Sequence, residues 1–231
     1  MRFATWLGTS VTKPAEPATC RRTGVIRLFR APWSTNCERV GLALAHKGLE
    51  AESVLIDYSD RSAVEEVSGQ GLVPVIEDEG VVIADSRRIL AHLDERYPER
   101  PLMPAGAQAR ARAELFCEWF DEVWKRAPNA IESELERADP DRALIERYAE
   151  TMDRHLDLVE GLLAEEPFLS GRRVGAPDFV AYPFLKYARG RHPDDDELFH
   201  RVLDERQSTA GRPRVAAWVE RVGALPRAYS E

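Results

Sequence analysis

Short apolar runs alternate with amphipathic stretches up to about residue 96. The runs are rich in β-branched residues and end at turn-forming residues, which is typical of strands. The amphipathic stretches repeat apolar residues every three or four positions, which is typical of helices. The predicted order is strand, helix, strand, short helix, strand, strand and helix. The strands are expected at 25–30, 53–56, 73–77 and 81–83, and the longer helices over 34–48 and from Asp85 onward.

The strand pattern ends at a proline-rich stretch, residues 97–104, which cannot be helical throughout. One long helix is then predicted over 107–126 and a second over 141–165, with shorter helices beginning near Pro177 and Arg212. The buried stripe of the first of these helices is expected to contain Leu115, Trp119, Phe120 and Val123. A small α/β unit followed by an all-helical unit is the fold class that this order favours.

The composition is that of a folded, acidic protein. Hydrophobic residues make up 44% of the 231 residues, which excludes disorder of the whole chain. The formal net charge of −8 argues against a direct nucleic-acid partner, because such proteins need a basic surface. No apolar run is long enough to span a bilayer, so no membrane partner is expected. Residues 1–24 lack the apolar run of a secretory signal, so we interpret them as a flexible tail and predict a cytoplasmic protein.

The three cysteines, Cys20, Cys37 and Cys117, are odd in number and widely spaced. They form neither a disulfide framework nor a zinc-binding pattern. The five histidines have no paired spacing suited to a metal ion, and no phosphate-binding glycine motif or serine-hydrolase motif occurs. The sequence therefore predicts no metal site and no nucleotide cofactor.

Three segments carry a motif: Gly69–Val75, which reads GQGLVPV, the pair Asp85-Ser86, and Leu93–Pro98, which reads LDERYP. Together they resemble the cytosolic glutathione transferase superfamily, in particular its omega-like and bacterial members. The resemblance implies an α/β thioredoxin-like N-terminal domain plus an all-α C-terminal domain, a homodimer, and glutathione as co-substrate. The implied organisation is a tail at 1–24, a glutathione-binding thioredoxin-like domain at 25–98, a linker at 99–106 and a helical domain at 107–231.

The resemblance assigns glutathione to five residues: Leu72, Val73, Pro74, Asp85 and Ser86. It implies a cis Val73-Pro74 bond that lets the backbone pair with an extended peptide, and a trans proline at a strand edge is the alternative. It implies that Asp85-Ser86 holds the γ-glutamyl carboxylate, since free N–H groups at a helix start bind anions. Ordinary N-capping by Ser86 is the alternative. Many members have Lys or Gln at the position of Leu72, so one contact to the glycyl carboxylate is expected to be missing.

Ser34 stands at the strand-to-helix turn where many relatives carry a nucleophilic cysteine. The resemblance implies that its hydroxyl donates a hydrogen bond to the sulfur of glutathione and stabilises the thiolate. The alternative is that Ser34 only caps the helix. The amide of Asn36 is a second candidate donor, although a solvated turn position is the stronger expectation for it.

Cys37 falls at the second position of a C-x-x-C pair whose first cysteine is absent, so two-cysteine disulfide exchange is excluded at this motif. We expect Cys37 to be a small buried apolar group; if it is exposed, a mixed disulfide with a small thiol is the alternative. Cys117 is expected to be structural, and Cys20 lies in the predicted tail. In this family a Ser or Thr usually precedes Asp178 by three positions as a capping box, and Gly175 here weakens that cap.

The second substrate, an apolar electrophile, is expected between the domains against Trp33, Phe116 and Trp119, although aromatic residues at helical spacing more often form core. The predicted function is conjugation of the thiol of glutathione, or of a related small thiol, to such an electrophile. The alternative comes from residues 86–104, which also resemble stringent starvation protein A. That resemblance implies a non-catalytic binding protein that acts on RNA polymerase.

Overall fold

A computed structural model describes residues 25–229. The N-terminal part holds a four-stranded mixed sheet with the strand order β2-β1-β3-β4. Strand β1 is parallel to β2 and antiparallel to β3, and β4 is antiparallel to β3. Its elements are β1 (Ile26–Arg30), α1 (Thr35–Lys47), β2 (Ala51–Leu55), α2 (Ser62–Ser68), β3 (Val75–Asp78), β4 (Val81–Ala84) and α3 (Ser86–Arg96). The predicted order of strands and helices is confirmed.

The central strands β1 and β3 bury side chains on both faces of the sheet, since successive side chains of a strand point to opposite faces. On one face, Leu28 and Ile76 join a large core that includes residues of α1, α3 and the helical part. On the other face, Phe29 and Val75 pack with Val64 of α2. The sheet therefore separates α2 from the rest of the protein.

Strand β3 begins at Val75, two residues later than predicted. Pro74 therefore precedes the strand, where a missing backbone donor breaks no ladder hydrogen bond. The turn to β4 has positive φ at Glu79 (50°) and Gly80 (83°), which is the backbone of a tight hairpin turn.

The C-terminal part is entirely helical within the described residues. Its elements are α4 (Ala107–Trp119), a π-helical segment (Phe120–Trp124), α5 (Arg126–Leu135), α6 (Arg142–Leu162), α7 (Ala176–Leu185), a 3₁₀ turn (Lys186–Arg189), α8 (Leu198–Arg206) and α9 (Pro213–Gly223). Helices α6, α7 and α9 confirm the predictions made from the sequence. Helices α5 and α8 were not predicted, and the single helix expected over 107–126 is α4 followed by the π segment.

The predicted buried stripe of α4 is wrong at two positions, since Leu115 is 67% exposed and Val123 is 41% exposed. Phe120 is buried as predicted, together with the small Ala113 and Cys117, where α4 packs against α7, and with Trp124. Small side chains allow two helices to approach closely, so the bulkiest apolar residues do not mark the packed face. The rings of Phe120 and Trp124 stack with centroids 4.4 Å apart.

Asp178 organises the start of α7. Its carboxylate accepts hydrogen bonds from the backbone N–H groups of Leu169, Ser170 and Gly175. It also accepts from the hydroxyl of Ser170 and from the indole N–H of Trp218 at 2.8 Å. Complete burial raises the pKa of Asp178 above its usual range, while these donors oppose the rise. The hydroxyl of Ser170 donates to Asp178 at 2.7 Å, whereas Gly175 has no side-chain oxygen to accept a hydrogen bond from the backbone N–H of Asp178.

Gly175 has a packing reason. A Cβ at this position would lie 2.5 Å from the carbonyl oxygen of Leu102 and 2.8 Å from Oγ of Ser170. Leu102 and Ala176 are joined there by a backbone hydrogen bond of 2.8 Å, which ties the segment before α4 to α7. The close approach explains why no side chain occupies this capping position.

Within residues 25–229, no helix combines the length and the hydrophobicity needed to cross a bilayer.

We expect Gly175→Ala to destabilise the protein by about 1–3 kcal/mol, because the new methyl group overpacks a rigid backbone contact. Thermal and urea unfolding followed by circular dichroism measure this change. Gly161→Ala is the matched control, since Gly161 lies in α6 with no atom within 4 Å of the added Cβ, and alanine favours a helix over glycine. Equal stability changes in the two variants would contradict the packing argument.

Candidate functional site

Ser34 is the N-cap of α1. Its hydroxyl accepts a hydrogen bond from the backbone N–H of Cys37 at 3.3 Å, which stabilises the helix start. Burial raises the pKa of Tyr58 to about 12, against a smaller opposing contribution from Ser34, so the phenol remains protonated. Capping therefore occupies one acceptor position of the Ser34 oxygen.

The five residues assigned to glutathione lie together. Leu72, Val73, Pro74, Asp85 and Ser86 line one cavity of about 810 Å³, which we call the α3 cavity. The Val73-Pro74 peptide bond is cis, as the resemblance implies. Leu72 is exposed, with 70% of its surface accessible.

Asp85, and not Ser86, is the N-cap of α3. The Asp85 carboxylate accepts hydrogen bonds from the backbone N–H groups of Arg87 and Arg88 at 3.0 and 3.1 Å. Its φ of 78° lies in the left-handed region, which is uncommon for a residue other than glycine. The alternative of N-capping by Ser86 is wrong, because Ser86 is already the first helical residue and its hydroxyl lies 3.4 Å from Nη1 of Arg39.

Ser34 lines a second, adjacent cavity of about 380 Å³, which we call the Ser34 cavity. Four residues line both cavities: Asn36, Leu72, Val73 and Lys125. The two cavities therefore meet between the N-terminus of α1 and the segment before β3. Ser34 is not among the residues that line the α3 cavity, so a ligand in contact with both Ser34 and Ser86 must pass these four residues.

A cluster of charged side chains forms one wall of the α3 cavity. Asp121, in the π segment, lies 2.9 Å from Nη1 of Arg39, 3.0 Å from Nη1 of Arg87 and 2.8 Å from Nζ of Lys125. Burial opposes ionisation of Asp121, but Arg39 and Lys125 outweigh it and lower its pKa to about 2. Burial, together with the charge of Arg39, lowers the pKa of Lys125 to about 8.

Sequence reasoning missed Arg39, Asp121 and Lys125. Each is a single charged residue on a helix, where the usual expectation is a solvated side chain. The spacing of Asp121 and Lys125, i and i+4, was the one available signal. Arg39 is 1% exposed, and its Nη2 is buried without an acceptor among the described residues.

Asn36 is half-buried and its amide oxygen accepts a hydrogen bond from Nζ of Lys125 at 3.3 Å. The expectation of a solvated turn residue is therefore wrong. Asn36 lies in the first turn of α1 and faces the start of α5. Its partner Lys125 is 89 residues away in the chain, so the local sequence around Asn36 does not indicate the contact.

The prediction for Cys37 is confirmed. The side chain is 1% exposed, and burial raises the pKa of its thiol to about 11 despite the opposing hydrogen bond to Ser34. Cys117 is fully buried, and burial raises its pKa to about 12. Neither thiol is a candidate nucleophile at neutral pH. Cys20 lies outside the described residues.

The three aromatic residues predicted to contact the second substrate are not brought together. Trp33, with a positive φ of 58°, stacks on His192 at 4.7 Å between ring centroids. Phe116 and Trp119 are half-buried and pack with each other, and Trp119 also contacts the ring of His155. None of the three lines the α3 cavity or the Ser34 cavity. Their role in substrate binding stays a prediction.

The wall of the Ser34 cavity has a different set of aromatic and polar side chains. Phe184 and Phe199 supply apolar surface. His200, whose Nδ1 lies 2.9 Å from the buried carboxylate of Asp195, stacks on Tyr187 beneath them. No group of three or more potential metal ligands occurs among the described residues.

We expect Cys37 and Cys117 to be unreactive in the folded protein. In a Cys20→Ser variant, 5,5′-dithiobis(2-nitrobenzoic acid) at pH 8 should release almost no thionitrobenzoate, since a thiol of pKa about 11 is about one part in a thousand thiolate at that pH. Unfolding in guanidinium should then expose both thiols. One fast-reacting thiol in the native protein would contradict this, and Cys37→Ser would identify it.

Each half of the chain matches a model of a known protein family. The family model described as glutathione S-transferase, N-terminal domain, matches residues 28–101, and the corresponding C-terminal domain model matches residues 142–221. A glutathione S-transferase from Rhodospirillum rubrum F11 superposes with a TM-score of 0.69 at 26% identity, covering 87% of this chain and 89% of that one.

Curated relatives include enzymes and proteins with other names. Glutathione S-transferase 3 of Zea mays is 29% identical over 87% of this chain and 90% of its own. FtsZ-localized protein A of Caulobacter vibrioides (strain NA1000 / CB15N) is 29% identical over 68% of this chain and 75% of its own. A stringent starvation protein A homolog of Pasteurella multocida (strain Pm70) is 31% identical over 45% of this chain and 49% of its own. With both domain models matched in order on an α/β sheet domain and a helical domain, the chain belongs to the glutathione S-transferase superfamily.

Proposed function

We propose that this protein conjugates the thiol of glutathione to an apolar electrophile, with Ser34 stabilising the thiolate. The observation that carries the proposal is the junction of the two cavities: an anion-binding helix start lies in one and the Ser34 hydroxyl in the other. A short extended peptide thiol is a ligand that can occupy both at once. The fold alone carries no activity, so the argument rests on this junction.

The α3 cavity supports binding of a carboxylate. The N-terminus of α3 presents backbone N–H groups and a positive dipole end. Arg39 and Arg87 add positive charge in the same lining, and Nη2 of Arg39 is buried without an acceptor in the described part of the chain. In the proposed complex, Asp85 and Ser86 bind the γ-glutamyl end of glutathione. Val73 and Pro74 lie beside its peptide backbone, between this end and Ser34.

The chemistry at Ser34 is thiolate stabilisation. The thiol gives its proton to solvent, the Ser34 hydroxyl donates a hydrogen bond to the sulfur, and the dipole of α1 adds positive potential. The sulfur electron pair then forms a C–S bond with the electrophile. With 1-chloro-2,4-dinitrobenzene as probe, chloride leaves with the electrons of the C–Cl bond.

The second substrate would lie beside the sulfur. Phe184 and Phe199 in the wall of the Ser34 cavity supply an apolar surface for it. Trp33, Phe116 and Trp119 line neither cavity and stay in the proposal as more distant candidates for contact with the second substrate. We further propose that the protein acts in the cytoplasm and that its co-substrate is glutathione itself, with other small thiols as the comparison in the assay.

Ser34→Ala should lower kcat/KM for this conjugation about 10- to 100-fold, since a hydrogen bond to a charged group is worth about 1.5–3 kcal/mol. The pKa of the bound thiol, followed by thiolate absorbance near 240 nm, should rise by about one to two units. Both measurements use glutathione and 1-chloro-2,4-dinitrobenzene with the full chain.

Ser34→Gly separates the hydroxyl from the cap, because glycine replaces a capping serine at a cost of only a few tenths of a kcal/mol. Loss of activity in both variants supports thiolate stabilisation. Loss in Ser34→Ala with activity kept in Ser34→Gly would reduce Ser34 to a helix cap. No retention on a glutathione column and no turnover in the wild type would sink the enzymatic proposal.

A non-catalytic binding protein is the second candidate. It is favoured by the similarity to FtsZ-localized protein A and to stringent starvation protein A homologs. The proposal of RNA polymerase as a partner rests only on the similarity to stringent starvation protein A homologs. A wild type that neither binds glutathione nor conjugates it, yet is retained by immobilised RNA polymerase, would favour this candidate over the enzyme.

We also propose a homodimer. The edge strand β4 leaves Val81 and Val82 53% and 40% exposed, and Leu115 of α4 is also exposed; exposed apolar groups of this kind favour association. Light scattering coupled to size exclusion should give twice the 26.1 kDa chain mass. Leu115→Glu should shift the protein toward monomer, and a monomeric wild type at micromolar concentration would contradict the proposal.

A further inference from the structure

Lys125 lies where the α3 cavity and the Ser34 cavity meet. Among the described residues that line both, it is the one with a charged side chain, the others being Asn36, Leu72 and Val73. Its side chain is 19% exposed, so the ammonium group is mostly withdrawn from water. A peptide thiol that spans the two cavities must pass this cation.

The contacts of Lys125 fix its position and leave donor capacity. Nζ lies 2.8 Å from Oδ1 of Asp121 and 3.3 Å from Oδ1 of Asn36. It also lies 4.7 Å from the centroid of the Phe184 ring, where the cation is attracted to the π face. An ammonium group has three N–H donors, so one remains for a ligand.

The π segment aims Lys125 at the cavities. The backbone N–H of Lys125 donates to the carbonyl of Phe120, five residues earlier, at 3.2 Å. One extra residue per turn changes the direction of the side chains that follow, and such insertions are frequent at functional sites. Here Phe120 and Trp124 stay in the core while Asp121 and Lys125 both face α1.

The surroundings of Lys125 contain groups of both charges. Burial and Arg39 of α1 lower its pKa to about 8, while Asp121 and Asp85 oppose this. The other titratable groups that line the Ser34 cavity are Tyr58, Arg61, Glu132, Glu197 and His200. The ammonium form is therefore present at neutral pH and is lost as the pH rises past 8, unless an anion binds beside it.

We propose that Lys125 is a further catalytic residue of this site: its ammonium group donates a hydrogen bond to the thiolate sulfur at the junction of the two cavities. The inference rests on the proposed conjugation and adds to it a cation that stabilises the negative charge of the thiolate sulfur. The thiol proton still leaves to solvent, Lys125 keeps its own protons, and the sulfur electron pair forms the C–S bond. Lys125 thus stabilises charge and transfers no proton.

Two analogues test this without turnover. Glutathione sulfonate carries a fixed negative charge at the sulfur position, and S-methylglutathione carries none. Lys125→Met should lower the affinity for glutathione sulfonate by about tenfold or more relative to that for S-methylglutathione, because a charge-assisted donor is lost. Calorimetry at pH 7 measures both affinities. Arg126→Met is the matched control, since Arg126 is the next residue, also a cation, and is exposed; its affinity ratio should not change.

A pH series identifies the charge as that of Lys125. The wild-type preference for glutathione sulfonate should decline above pH 8, where Lys125 loses its proton, while the sulfonate itself does not titrate. Lys125→Arg should keep the preference to pH 10, because a guanidinium remains charged. The kcat/KM of the wild type for 1-chloro-2,4-dinitrobenzene should decline above pH 8, whereas that of Lys125→Arg should not.

The outcomes separate this inference from the proposed function. An unchanged affinity ratio in Lys125→Met, or an equal loss for both analogues, overturns the role of Lys125 and leaves the conjugation proposal intact. A wild type that binds neither analogue overturns the proposed function, and this inference falls with it. Normal binding of S-methylglutathione by Lys125→Met establishes that the variant is folded.

Discussion

A buried guanidinium joins the two halves of the protein at the site. Arg39 extends from α1 and donates to the carbonyl oxygen of Val180 in α7 at 3.0 Å, while its Nη1 lies 2.9 Å from Asp121 and 3.4 Å from Ser86. The ring of Phe184 lies 4.7 Å from the guanidinium carbon. Breaking a buried ion pair costs about 3–5 kcal/mol, so the start of α3, the N-terminal half of α1 and the π segment are held in one arrangement. Helix α1 contributes residues to the walls of both cavities, and the start of α3 and the π segment line the α3 cavity.

The consequence is a site built from helix starts and one charged cluster. Helix α1 begins after Ser34 and α3 begins at Ser86, and each contributes a positive dipole end toward the same region. Asp121 pairs with three cations, Arg39, Arg87 and Lys125, and Lys125 lies at the junction of the cavities. Burial makes Cys37 a packing residue, so the proposed chemistry near α1 rests on a hydroxyl and an ammonium group. The same scaffold occurs in relatives with enzymatic and with other names, which is why the side chains at the junction, and not the fold, decide the function.

The part of the site that the sequence predicted lies in contiguous motifs. Val73-Pro74 and Asp85-Ser86 are short local patterns, and turn and capping chemistry acts between neighbours in the chain. Asp178 was likewise predicted near its helix start, although its hydrogen bond to Trp218, 40 residues later, was not. Lys125 was missed because its partners Asn36 and Phe184 come from distant parts of the chain. A lone lysine on a helix carries no local mark of burial.

By itself, the sequence determined the order of strands and helices in the N-terminal half, the family, and the absence of a first cysteine before Cys37. These follow from periodicity and from motifs of neighbouring residues, which local backbone preference and side-chain alternation decide. The tertiary structure alone decided which face of α4 is buried and that Arg39, Asp121 and Lys125 meet. The physical reason is that burial and charge pairing depend on how the helical half packs onto α1. That packing joins residues far apart in the chain, and one π-helical turn sets which side chains face the cavities.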